Sequence, residues 1–171
     1  ETNSVEPPAP AAAAPRNENY ETVLDAARFA VWLEKLQQAE LIAFDTETTG
    51  LDSQQAQVVG VSFAVKAGEA AYVPLTHAYM GVPAQLERDT VLLALKPLLE
   101  DPQKAKLGQH AKYDINILAN CAIGGDPANG IQVQGVAFDS MLESYVLDAT
   151  ATRHNMDALA LKYLDTTTIS F

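Results

Sequence analysis

Apolar positions along the chain change rhythm several times. In 20–25 (YETVLD) they alternate, the period of a half-buried strand. In 26–40 Phe29, Val31, Trp32 and Leu36 recur at roughly helical spacing. The run 41–44 (LIAF) is apolar throughout, as a strand covered on both faces must be. Two more strand patterns follow, QVVGVSFAV and EAAYVPL, separated by KAGE, whose glycine suits a hairpin turn. The segment 87–101 has a helical period, with Pro97 predicting a kink or a local boundary. Beyond it the pattern predicts a short strand at 104–110, a helix at 111–121 and a loop, GGDPANG. A last apolar run (VQGVAF) precedes two helices, SMLESYVLDA and NMDALALKYL. Strands come first and close together, then alternate with helices. This order predicts an α/β domain with a mixed β-sheet, antiparallel hairpins early and parallel crossovers later.

Composition narrows the class. A chain of 171 residues, 48% of them hydrophobic, suits one domain plus an appendage, or a piece of a larger protein. No apolar run approaches the roughly 18 residues of a membrane span, so the expectation is a soluble, cytoplasmic protein. Residues 1–19 are a Pro/Ala-rich tract without periodicity and read as an interdomain linker. The closing TTTISF reads as an extended run stopped before it has a partner, which marks the chain as an excised piece. The single cysteine, Cys121, excludes an internal disulfide and a Cys-based zinc site. A net charge of −11 argues against a protein that coats nucleic acid. It does not argue against a nuclease, because bound divalent cations supply local positive charge.

Candidate chemistry begins where LIAF runs into Asp45 and Glu47. Residues two apart share one face of a strand, about 7 Å apart, so the two carboxylates can converge. A lone D-x-E is more readily a solvated strand end, because the pattern is short and common. Asp114 changes the weighing, because in the helix AKYDINILANC it shares a face with Ile117 and Leu118. An acid on an apolar face is costly unless it is paired or holds a metal; a helix-dipole contact explains only an exposed one. Three converging carboxylates with no Cys or His cluster favour Mg²⁺ or Mn²⁺, and a pair of such ions serves phosphodiester hydrolysis. Of the remaining polar residues, Asp139 is expected to cap the helix that follows, in competition with Ser140 and Glu143 at capping-box spacing. His77 is expected in a loop, and His154, beside Arg153, within reach of a substrate.

FDTETTGLD and GQHAKYDINILAN resemble the first and second motifs of the 3′→5′ proofreading exonuclease domain of bacterial DNA polymerase I, a DEDD exonuclease. The similarity runs on through LKPLLED, FDSMLESYVLDA and RHNMDALALKYL, covering 20–171. The resemblance implies a ribonuclease-H-like sheet on which Asp45, Glu47 and Asp114 bind two divalent ions. It implies that Tyr113 orients the attacking water or the scissile phosphate. Leu51 and Phe171 would pack against the terminal bases, while Thr48, Gln109 and Arg153 would contact the sugar or phosphates of a frayed DNA 3′ end. His110 stands where the family usually has Asn, which would make that contact pH-sensitive. The implied partners are single-stranded or frayed DNA and the rest of the polymerase polypeptide, with a monomeric, nucleoid-associated bacterial protein.

The family's third motif, a Tyr followed four residues later by an Asp, has no match in this sequence, since YLDTT offers no such Asp. The fourth carboxylate is thus absent, and the chain as given is expected to be inactive or severely impaired. Two alternatives stay open beside the DNA-editing reading: a 3′ RNA-trimming relative on the same sheet, and a non-catalytic scaffold.

Overall fold

The computed structural model describes residues 19–168; the expected linker, but for its last residue, and Phe171 lie outside them. Six strands form one sheet: β1 (Asn19–Thr22), β2 (Leu41–Thr48), β3 (Val58–Lys66), β4 (Glu69–Pro74), β5 (Ala105–Gly108) and β6 (Val136–Asp139). Their order across the sheet is β1-β4-β3-β2-β5-β6. The β2–β3 and β3–β4 pairs are antiparallel; β1–β4, β2–β5 and β5–β6 are parallel. The expected α/β class and mixed sheet are what forms. The β3–β4 hairpin turns at Gly68, whose φ of +77° a side chain would disfavour.

The helices are α1 (Ala26–Gln38), α2 (Arg88–Glu100), α3 (Ala111–Ala119), α4 (Ser140–Leu147) and α5 (Met156–Leu164). Asp25 caps α1 by accepting from Arg28 N–H at 2.9 Å, and the Trp32 indole donates to Glu21 on β1 at 3.0 Å. Trp32 and Leu36 of α1, and Leu92, Leu95 and Leu99 of α2, are buried with Ile42, Phe44 and Phe63 of the central strands. Cys121 is buried and unoxidised, as a core residue. Pro97 neither breaks nor bounds α2. Its ring and Leu93, whose carbonyl loses a donor, both lie on the exposed side, while Leu98 and Leu99 anchor the last turn in the core.

The opposite side is more thinly covered. On α4 only Ser144 is buried and on α5 only Leu159, while Leu142, Tyr145, Leu147 and Tyr163 remain exposed. Between these helices and strands β2–β4 lies a cavity of about 610 Å³, bordered by Ala43, Asp45, Ser62, Gln109 and Leu159 among others. No helix among the described residues is long and apolar enough to cross a membrane.

Candidate active site

Strand β2 outruns β5. Their pairing ends at Ala43–Leu107, so on that side the edge of β2 from Phe44 to Thr48 carries no strand partner. Helix α3 starts just past β5 and fills the gap with Asp114. The carboxylate is 3% exposed, and its Oδ1 accepts from the Thr46 backbone N–H at 3.0 Å and the Thr46 hydroxyl at 2.5 Å. A buried acid next to Ile117 and Leu118 is therefore paired rather than stranded. Thr46 is the residue that sequence reasoning missed. Lying between Asp45 and Glu47, it faces the other way by strand alternation, and its hydroxyl was the available signal.

Asp45 and Glu47 extend from the opposite side of β2, paired in register with Ser62 and Gly60. Asp45 is half-buried and Glu47 exposed. Burial pushes the Asp45 carboxyl up to about 6, and the charges of Asp114 and then Glu47 add to it. Burial also raises Asp114, against the two bonds from Thr46. Asp45 thus feels the like charges of both Asp114 and Glu47, which a bound cation would offset. Among the described residues no three His, Cys, Asp or Glu side chains are gathered tightly enough to enclose an ion. The donor set still fits one: oxygen ligands only, with the two aspartates raised by burial.

The remaining expected residues surround this point unevenly. Tyr113, one turn ahead of Ile117 on α3, brings its hydroxyl to the Thr48 hydroxyl (2.6 Å) and to the Gly50 carbonyl. Thr48 also donates to Gly50 O at 2.9 Å, so the turn after β2 is stitched to α3 beside Glu47. Leu51, in that turn, is 96% exposed. Gln109 lies half-buried between its neighbours: its amide donates to the His154 carbonyl at 2.9 Å, and its Oε1 accepts from Ser140. Arg153 is exposed.

His110 is the N-cap of α3 with φ +61°, in the left-handed region where Asn, Asp and His are enriched. That backbone suits a histidine as well as an asparagine. Its own side chain makes no cap. Instead Asp139 accepts from His110 N–H (3.2 Å) and Ala111 N–H (2.8 Å), and also from Met141 and Leu142 N–H (3.0 and 3.1 Å). One carboxylate caps α3 and α4 together. The capping expected of Asp139 is realised, and Ser140 serves Gln109 instead.

His154 departs from expectation. It is 4% exposed, its Nδ1 meets Ser144 Oγ at 2.9 Å and its Nε2 meets the Ala149 carbonyl at 3.1 Å, so it packs inside and does not reach out to a substrate. His77 does lie in a loop, but it hydrogen-bonds Tyr72, a pairing without a sequence signal.

The family model that matches, over residues 20–171, is that of a 3′-5′ exonuclease. DNA polymerase I of Pseudomonas aeruginosa is 70% identical over 153 residues; the match covers 90% of this chain but 16% of that relative's length. Among solved structures, the POL domain of Pol1 from M. smegmatis in complex with DNA primer-template and dNTP overlays with a TM-score of 0.64 at 20% identity. That match covers 86% of this chain and 23% of the other. Brucella melitensis NrnC with bound Mg²⁺ overlays with a TM-score of 0.58 at 21% identity, covering 89% and 64%. These two likenesses speak for the ribonuclease-H-like fold alone.

Proposed function

The chain belongs to the 3′-5′ exonuclease family found within bacterial DNA polymerase I, and on that premise we propose that it hydrolyses phosphodiester bonds at DNA 3′ ends, releasing deoxynucleoside monophosphates. The observation that carries this reading is the placement of Asp45 and Glu47 on one face at the end of β2, with the buried Asp114 of α3 held at the edge of the same strand. Burial and the charges of Asp114 and Glu47 raise the Asp45 carboxyl, and a bound cation would offset that repulsion.

Asp45, Glu47 and Asp114 are the proposed holders of Mg²⁺ or Mn²⁺. Bound there, such ions supply the positive charge that activates water and steadies a departing oxygen. Thr46 fixes Asp114 through its paired bonds. Tyr113, pinned to the 48–50 turn, is the group proposed to orient the water or the scissile phosphate. Leu51 offers an apolar surface to a terminal base, and Phe171, outside the described residues, is proposed for the same role. Gln109, held by His154 and Ser140, is proposed to contact the sugar-phosphate, with Thr48, His110 and Arg153 as further proposed contacts.

Residues 20–171 are proposed as the exonuclease region and 1–19 as a linker, with single-stranded or frayed DNA and the rest of a polymerase polypeptide as partners. The protein is proposed to be a cytoplasmic, nucleoid-associated monomer. With three of the family's four acids in the sequence, its turnover is proposed to fall well below that of a chain extended through the third motif.

The test is degradation of 5′-labelled single-stranded DNA and RNA of one sequence in Mg²⁺ or Mn²⁺, by this chain, an extended chain, and Asp114→Asn versions of each. Stepwise loss of DNA from the 3′ end by the extended chain, abolished by Asp114→Asn, is the expected result. Faster loss of RNA would favour the trimming alternative. An inert extended chain would favour the scaffold.

A further inference from the structure

On the Glu47 side of the site stands an aromatic cluster to which no role has yet been given. Tyr72 lies across Gly60, the register partner of Glu47: a Cβ at position 60 would come within 2.1 Å of the Tyr72 hydroxyl oxygen. The hydroxyl hydrogen-bonds His77 Nε2. The His77 ring stands edge-on to Tyr72 (centroids 6.0 Å apart, 62° between planes) and to Tyr79 (6.1 Å, 61°). Burial pushes the Tyr72 phenol up to about 12, and the charges of Glu47 and Tyr79 add to it.

The outer end of the cluster faces solvent. Tyr79 is 59% exposed and Met80 fully exposed, yet the loop that carries them is fastened. The His77 backbone N–H donates to the Gln85 side chain and the Gln85 amide returns a bond to the His77 carbonyl, both at 2.8 Å. Thr76 reaches β3 through its N–H to Val59 O (3.2 Å) and its hydroxyl to Val58 O (3.1 Å). Val58 pairs with Thr48, so this loop and the turn bearing Leu51 border the same end of β2. An exposed aromatic on a fixed frame loses little entropy when something stacks on it.

We infer that Tyr79 and His77 form a stacking shelf for one unpaired nucleobase of the strand whose phosphodiester lies at Glu47, with Tyr72 as the shelf's anchor. The inference rests on the nuclease reading above and adds a base site to it. Ring faces accept any base without reading sequence. In a chain of net charge −11, backbone attraction is weak, and stacking carries a larger share of strand binding.

The test is binding of a short 5′-fluorescein-labelled oligo(dT) to the full chain in EDTA, where no cleavage competes, read by anisotropy. Tyr79→Ala is expected to weaken binding about 5- to 100-fold, and Tyr79→Phe to stay near wild type. A set of oligonucleotides with one abasic position each locates the base: at one position wild type and Tyr79→Ala should bind alike, because the stacked partner is already gone. Equal binding by wild type and Tyr79→Ala on the intact strand overturns the shelf while leaving the nuclease reading standing. A deficit in Tyr79→Ala that persists at every abasic position overturns it too. Failure of wild type to bind at all in EDTA overturns the shelf too, while the nuclease reading stands or falls separately on cleavage in Mg²⁺ or Mn²⁺.

Discussion

Asp114 accepts two hydrogen bonds from one residue, the Thr46 N–H and the Thr46 hydroxyl, at 3.0 and 2.5 Å. The pair joins α3 to the unpartnered edge of β2 and sets a buried acid beside the two that β2 itself carries. Thr46→Val keeps the volume and removes one donor. It should cost about 1.5–3 kcal/mol, the range for a hydrogen bond to a charged group. Urea denaturation at neutral pH measures this, and a loss below about 0.5 kcal/mol would mean the hydroxyl bond carries no weight.

Asp45 gives stability a definite pH dependence. Its folded pKa, about 6, lies above the ordinary value of 3.8. As pH rises between these values the unfolded chain releases this proton first, so the native state loses stability. Asp114, also raised, acts in the same direction. The Asp45 share should be about 1–2 kcal/mol by neutral pH, less than the full shift implies because the group is partly solvated. Asp45→Asn should flatten the fall and raise the neutral-pH melting temperature in EDTA. Thermal melts of both chains across that range check it.

Asp139 ties two helices to the sheet with four accepted bonds. A single cap contributes about 1 kcal/mol, so Asp139→Ala should cost about 2–4 kcal/mol. Hydrogen exchange should quicken at His110 and Ala111 as well as at Met141 and Leu142. Loss of protection at α4 alone would contradict the double cap.

Much of this was legible because the signals are local. The four apolar residues of LIAF, the helical spacing of Phe29, Trp32 and Leu36, and the glycine in KAGE each act within a few positions. They do so through burial or backbone sterics. Asp139 read as a cap for α4 for the same reason. Its bonds to His110 and Ala111 did not, because they span the sheet and depend on β6 lying beside β5. The Thr46–Asp114 pair is likewise made by topology, between residues 68 positions apart. Pro97 does not bound α2, because its exposed position lets the helix run on while Leu98 and Leu99 anchor the last turn in the core. His154 misled because adjacency to Arg153 says nothing about which way a left-handed residue, here with φ +58°, turns its side chain.

The central claim is that Asp45, Glu47 and Asp114 hold a divalent ion, and calorimetric titration of the chain with Mn²⁺ at neutral pH tests it most directly. Saturable binding is expected, lost in Asp45→Asn and weakened in Asp114→Asn, with the melting temperature of the wild type rising as the site fills. Binding that survives Asp45→Asn unchanged, or no binding by the wild type, would contradict it.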